Sequence, residues 1–209
     1  MKLKKILLGS LAGVLLASSA LAQGVNQVPQ VGTISAINRN ATYAAVSVNL
    51  VTAASATDIV CIAASATRNI SIRRITINGT AGTTITTPFL LYRRAVLDTG
   101  GTPATSTALP VAAAVEPADP VSGATLVAYT ANPTINDNSP ALVGAFVTSI
   151  ATTTTATPLD SLSFGTSTDM FERGLNLQKN TTQQLCVNLN GVTISSPLLT
   201  VTLEWQESL

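Results

Sequence analysis

The chain has no histidine, two cysteines and one tryptophan, and only 10% of its 209 residues are charged. A soluble domain usually carries about a quarter charged residues. Each shortage closes off some chemistry. Without His there is no imidazole metal ligand, no Ser–His–Asp triad and no imidazole acid–base catalysis. Two Cys are too few for a four-Cys zinc site or a disulfide-dense miniprotein. A formal charge of +1 with no basic block argues against a nucleic-acid partner. G-x-S-x-G, Walker A and G-x-G-x-x-G are all missing from the sequence. No catalytic residue, metal ligand or cofactor is therefore expected.

What is present starts with a leader. Lys2, Lys4 and Lys5 precede an apolar run from Ile6 to Leu16, and Ala20-Leu21-Ala22 forms an A-x-A cleavage signal. These are the three parts of a secretory signal peptide, in order. The apolar run is short of the ~20 residues that a membrane anchor needs. The expectation is a signal peptide over residues 1–22 and a secreted, periplasmic or cell-surface product with no stable membrane span. Cleavage removes three Lys, so eight cations face ten acids, and Lys179 is the one Lys left.

The rest reads as strands. Residues 23–40 form a polar lead segment containing Pro29. Residues 41–209 read as one antiparallel β-sandwich domain, jelly-roll-like. Ala44–Val51, Asp58–Ala63, Asn69–Asn78, Pro88–Arg94, Thr125–Thr130, Ala141–Ile150, Leu159–Phe164, Gln184–Asn190 and Leu199–Gln206 are the expected strands. In the last of these Leu199, Val201, Leu203 and Trp205 alternate with Thr200, Thr202, Glu204 and Gln206, the period of a sheet with one wet face. The 31 Thr, with many Val, suit a pleated surface. Asn78-Gly79 and Asn190-Gly191 read as turns. The Pro- and Gly-rich stretch from Thr99 to Gly123 reads as a long loop or crossover within one domain.

Four features bear on chemistry. Cys61 and Cys186 both fall in expected strands; in an exported chain they form either a disulfide or two buried thiols. A bridge closing so long a loop is worth about 4–5 kcal/mol by the chain-entropy argument. Arg73, Arg74, Arg93 and Arg94 supply half of the remaining cations. If their strands pair as a hairpin, Arg73 falls near Arg93, with Asp58 and Asp98 as nearby counter-charges. That arrangement is either a small anion or glycan-carboxylate site or structural ion pairing at a sheet end. Asn136-Asp137-Asn138 is either an Asx turn or a set of oxygen ligands for calcium. Trp205 lies on the apolar side of its strand, which places it in the core and not on a sugar platform.

Several segments also resemble known proteins. They are Leu50-Val51-Thr52-Ala53-Ala54-Ser55-Ala56-Thr57-Asp58, Ile70-Ser71-Ile72-Arg73-Arg74-Ile75, Gln184-Leu185-Cys186-Val187-Asn188-Leu189-Asn190-Gly191 and Val201-Thr202-Leu203-Glu204-Trp205. Together the sequence resembles uncharacterised β-rich proteins found among bacteriophage and prophage structural genes. The resemblance implies a structural, virion-like role and carries over no catalytic residue. The leader makes this an exported relative. The expectation is thus a non-catalytic structural or surface-binding protein that self-associates or meets a cell-surface or glycan partner. Two alternatives stand. One is a fimbrial-type subunit whose Gln23–Ile37 segment adds to a neighbour's sheet edge. The other is a secreted glycan hydrolase working with two carboxylates.

Overall fold

The computed structural model describes residues 40–152, 160–164 and 175–208. The expected signal peptide and residues 23–39 of the lead segment lie outside the described residues, as does Leu159. Twelve strands are described: β1 (Ala41–Leu50), β2 (Asp58–Ala63), β3 (Asn69–Thr80), β4 (Ile85–Arg94), β5 (Thr102–Pro103), β6 (Ala113–Ala114), β7 (Thr125–Ala131), β8 (Ala141–Ile150), β9 (Asp160–Ser163), β10 (Leu175–Leu177), β11 (Gln184–Asn188) and β12 (Leu198–Ser208). Among the described residues the helical structure is one 3-10 turn, Ser106–Ala108.

All ladders between these strands are antiparallel, and they form two sheets that pack against each other. The first has the order β10-β3-β12-β1-β6, with β9 also on β3; the second runs β5-β7-β2-β11-β4-β8. Several of the pairs are nested. β1 meets β12, β2 meets β11, β3 meets β9 and β10, and β4 meets β8. This is a long antiparallel hairpin rolled up on itself, the topology of a jelly roll. The rolled strands then interlock through β12 on β3 and β11 on β4. The expected crossover, Thr99 to Gly123, lies between β4 and β7. Its short strands extend both sheets, β6 on β1 and β5 on β7.

Period-two patterning places the core. Tyr43, Ala45 and Leu50 of β1, Ile70, Ile72, Ile75 and Ile77 of β3, and Leu199, Val201, Leu203 and Trp205 of β12 face inward from the first sheet. Val60, Ile62, Phe89, Leu91, Leu185 and Val187 meet them from the second. Trp205 is fully buried and stacks on Tyr43 with ring centroids 5.7 Å apart. Fully burying a side chain of the size of Ile, Leu or Phe contributes about 1.5–3 kcal/mol, so this shared inner layer dominates the stability of the fold.

Two expectations are corrected. Asn78-Gly79 is not a turn: β3 continues through it to Thr80, opposite Thr200 and Leu199 of β12. Gly79 has φ +152°, and a Cβ there would sit 2.4 Å from the Leu198 carbonyl oxygen. The glycine is there for close approach of two strands, not for chain reversal. Second, β3 and β4 do not form a hairpin; the chain crosses between them from one sheet to the other. Asn190-Gly191 does turn the chain. Both residues have positive φ, 53° and 76°, and the Val192 amide donates to the Leu189 carbonyl.

Candidate functional site at the sandwich rim

The two arginine pairs meet different fates, and backbone geometry decides which. Arg73 sits at a bulge: Arg74 pairs with Glu204 and Ile72 with Trp205, leaving Arg73 as the extra residue. A bulge breaks strict alternation. Ile72 and Ile75 both remain inside, and both arginines bond side chains of alternate β12 residues, Glu204 and Gln206. Arg73 donates to Gln206 Oε1 from Nε at 3.1 Å and from Nη2 at 2.6 Å. Arg74 pairs with Glu204.

Arg93 and Arg94 end β4 in regular register, opposite Leu185 and Gln184 of β11. They point to opposite faces. Arg94 is 2% exposed. It grips Asp58 with two bonds, Nε to Oδ2 at 2.7 Å and Nη2 to Oδ1 at 2.9 Å. Asp98 approaches the same guanidinium at 3.8 Å, and the Tyr92 ring lies 5.2 Å away. Asn188 Nδ2 also donates to Asp58. The bidentate fork is the strong form of an Arg–carboxylate contact.

The disulfide belongs to this cluster. Cys61 and Cys186 are direct partners in the β2–β11 ladder and are bonded to each other. Tyr129 and Val127 of β7 pack over them. Asp98 Oδ2 lies 3.9 Å from the Cys61 sulfur and 3.8 Å from that of Cys186. Burial, then the hydrogen bond and charge of Asp58, push the Asp98 carboxyl up to about 7 against the pull of Arg94. Asp58, Cys61, Asp98 and Cys186 place their ligand atoms within 4.8 Å of one another. With both sulfurs in a disulfide and a guanidinium beside both carboxyls, the cluster is arranged as a stapled ion pair and not as a cation site.

The Asn136-Asp137-Asn138 turn holds the loop that carries Asp98. Asp137 accepts from the Ala95 amide at 2.6 Å and the Ser139 amide at 2.9 Å, which lowers its carboxyl below the ordinary range. Asn136 Nδ2 donates to the Leu97 carbonyl and to Thr99. The Ser139 bond is the local one of an Asx turn; the other three reach about 40 residues back along the chain to the Asp98 loop.

Arg93 goes the other way, to the rim where the two sheets part. It is exposed and has no ion-pair or hydrogen-bond partner among the described residues. It lines a groove of about 340 Å³ together with Val143, Phe164, Leu175, Asn176, Gln178 and Gln183. A smaller hollow of about 140 Å³ continues past Arg93 toward Ala95 and Ser139. A guanidinium with no partner among the described residues, three amide side chains and an aromatic ring thus line one groove. The four arginines singled out in sequence are divided between a sheet surface, a buried cluster and this rim.

Sequence reasoning did not find the second polar cluster. Glu207 is buried at the end of β12, accepting from Trp205 Nε1 at 3.0 Å, Arg68 Nη1 at 3.1 Å, Ser122 Oγ at 2.5 Å and the Gly123 amide. Burial alone would raise its carboxyl, but these donors bring it below the ordinary range. Arg68 also donates to Tyr43 Oη, whose hydroxyl donates to the Pro120 carbonyl. The network ties the crossover to the sheet. Its signal was there: continuing the alternation two residues past Trp205 puts Glu207 inside.

No family model matches the sequence, and neither the curated proteins nor the solved structures contain a match to this chain.

Proposed function

We propose that the protein is an exported, non-catalytic β-sandwich that binds carboxylated glycans at a surface, with the rim groove as its binding site. One observation carries this reading. Arg93 has no ion-pair partner among the described residues and lines a 340 Å³ groove, while its neighbour Arg94 is gripped by Asp58 with Asp98 beside it. A guanidinium fork matches a carboxylate in two parallel bonds. Asn176, Gln178 and Gln183 offer amides to hydroxyls, and Phe164 offers an apolar face to a sugar ring. The leader supports export, and the resemblance to phage structural proteins supports a surface role.

The carboxylates favour binding over hydrolysis. A glycosidase needs two carboxylates flanking one groove. Among the described residues no carboxylate lines the rim groove; Asp137 borders the smaller hollow beside it, where it accepts from two backbone amides, and Asp58, Asp98, Glu204 and Glu207 are committed to arginines or to buried networks. The fimbrial alternative depends on Gln23–Ile37, outside the described residues.

Calorimetric titration with uronic-acid oligosaccharides tests the reading. Saturable binding is expected, with no binding of neutral oligosaccharides of equal length. Arg93→Ala should weaken it at least about tenfold, in line with a charge-assisted hydrogen bond. Arg93→Lys should recover only part, because an ammonium cannot make the fork. Equal affinity for acidic and neutral sugars, or for wild type and Arg93→Ala, would overturn the proposal.

A further inference from the structure

β8 ends the second sheet, and among the described residues β4 is the one strand it pairs with. Its other edge therefore presents backbone donors and acceptors without a strand partner among those residues. Soluble proteins usually guard such an edge with lysine, proline, a bulge or brevity. β8 has ten residues, Ala-Leu-Val-Gly-Ala-Phe-Val-Thr-Ser-Ile, with no charge and no proline. One irregularity falls near its start, opposite Leu91 and Tyr92. From Gly144 to Ile150 it pairs residue for residue with Leu91 to Ile85. Its exposed residues include Leu142 at 55% and Val147 at 63%.

We infer that the β8 edge docks a second copy of this chain, strand against strand and antiparallel about a twofold axis, joining the second sheets of two copies into one. The regular stretch is centred on Val147. A dyad there sets Val147 opposite its own copy and Ala145 opposite Ser149, an isologous contact. A copy of the same strand suits this edge because it brings no charge to it. Self-pairing of a charged strand would set like charges face to face. A charged or carboxylated ligand finds no counter-charge along these ten residues, so the site is separate in chemistry from the Arg93 groove.

The size of the contact sets its strength. Ten residues span ~34 Å, and one sheet is ~10 Å thick, so the edge offers ~340 Å² per copy. Stable interfaces bury about 800 Å² per partner. The dimer is therefore reversible and depends on concentration.

Sedimentation velocity on the full chain, from about 1 to 200 μM, reads this directly. The expected result is a monomer–dimer equilibrium. Val147→Lys should raise its dissociation constant at least about tenfold with an unchanged melting temperature, because it installs the usual edge guard. Val121→Lys, at a residue 91% exposed in the crossover, should leave the equilibrium as it was. A second variant covers a Lys that unfolds the strand: Val147→Cys should oxidise to a covalent dimer, since opposed strand residues bring their Cβ atoms ~5 Å apart. Val121→Cys should not. Hydrogen exchange should slow with concentration in residues 141–150. A monomer at every concentration would overturn the inference. So would a dimer that Val147→Lys leaves intact, or one whose β8 amides exchange as fast as in the monomer.

Discussion

Arg73-Arg74 and Arg93-Arg94 are the same dipeptide in two long strands, the first in the middle of β3 and the second at the end of β4, and they do different things. The first pair sits on a bulge and bonds Gln206 and Glu204 of the neighbouring strand. The second pair is in regular register with β11 and is split across the sheet, one guanidinium buried against two aspartates and one at a rim groove with no partner among the described residues. Charge alone therefore does not assign a role to an arginine. The role follows from whether alternation holds at that residue and from which groups the opposite face supplies. Arg94 is held by Asp58 and Asp98, and of the two β4 arginines Arg93 is the one without an ion pair among the described residues.

The comparison breaks most visibly at Arg94. Arg94→Ala leaves two buried carboxyl groups beside a disulfide with no counter-charge. Removing one partner of a buried pair typically costs about 3–5 kcal/mol. Urea unfolding should show that loss as a lower midpoint with an unchanged slope. A loss close to zero would mean that water reaches the cluster, and the contrast between Arg93 and Arg94 would collapse.

A smaller effect comes from Asp98, and its sign is unusual for a carboxylate near an arginine. The carboxyl titrates at about 7 in the folded chain, against an ordinary value near 3.8. The native state thus holds a proton that the unfolded state has already lost. The Asp98 contribution to stability is fully present below about pH 4 and is lost as pH rises through about 7. Glu207 and Asp137 act in the opposite sense: both are lowered, so their contribution disappears as pH falls below the ordinary carboxylate range. Their window lies below that of Asp98. The chain has no histidine, so no imidazole adds to the slope between about pH 5 and 8. Thermal melts across that range should show wild type losing stability as pH rises, and Asp98→Asn should flatten the curve. A wild-type curve that is already flat would mean that the pull of Arg94 outweighs the burial of Asp98.

The limits of the sequence reading follow from the same physics. β2 and β8 have the bounds expected from sequence, and β12 extends its expected range by one residue at the start and two at the end. These strands combine a clean apolar or alternating pattern with turn residues on both sides. β10 was missed, because three residues are too few for any period to show. The bulge at Arg73 has no marker in sequence. It arises from pairing with β12, some 130 residues away, and a one-residue change in register reverses every face downstream. Strand order was equally out of reach, since it depends on which edges meet after the hairpin rolls up. The site suffered accordingly. Proximity along the chain offers Asp58 and Asp98 as counter-charges for a pairing of Arg73 with Arg93; both lie instead at Arg94. The choice between Arg93 and the other three needed the faces, and the faces needed the register.

Arg74 gives the smallest effect and the sharpest control. Its guanidinium meets Glu204 on a surface where its side chain is 51% exposed. Exposed pairs of this kind are screened by water and salt and contribute little. Arg74→Ala should leave the urea midpoint within error of wild type at 150 mM salt and leave uronic-acid binding intact. It has the same charge change as Arg94→Ala and as Arg93→Ala, so the three variants form one series. Stability should fall only at position 94, binding should fall at position 93 without loss of stability, and neither should change at 74. If Arg74→Ala matched Arg94→Ala in stability, net charge and not local pairing would be the cause. If it matched Arg93→Ala in binding, the ligand would be reading the whole basic surface and not the groove.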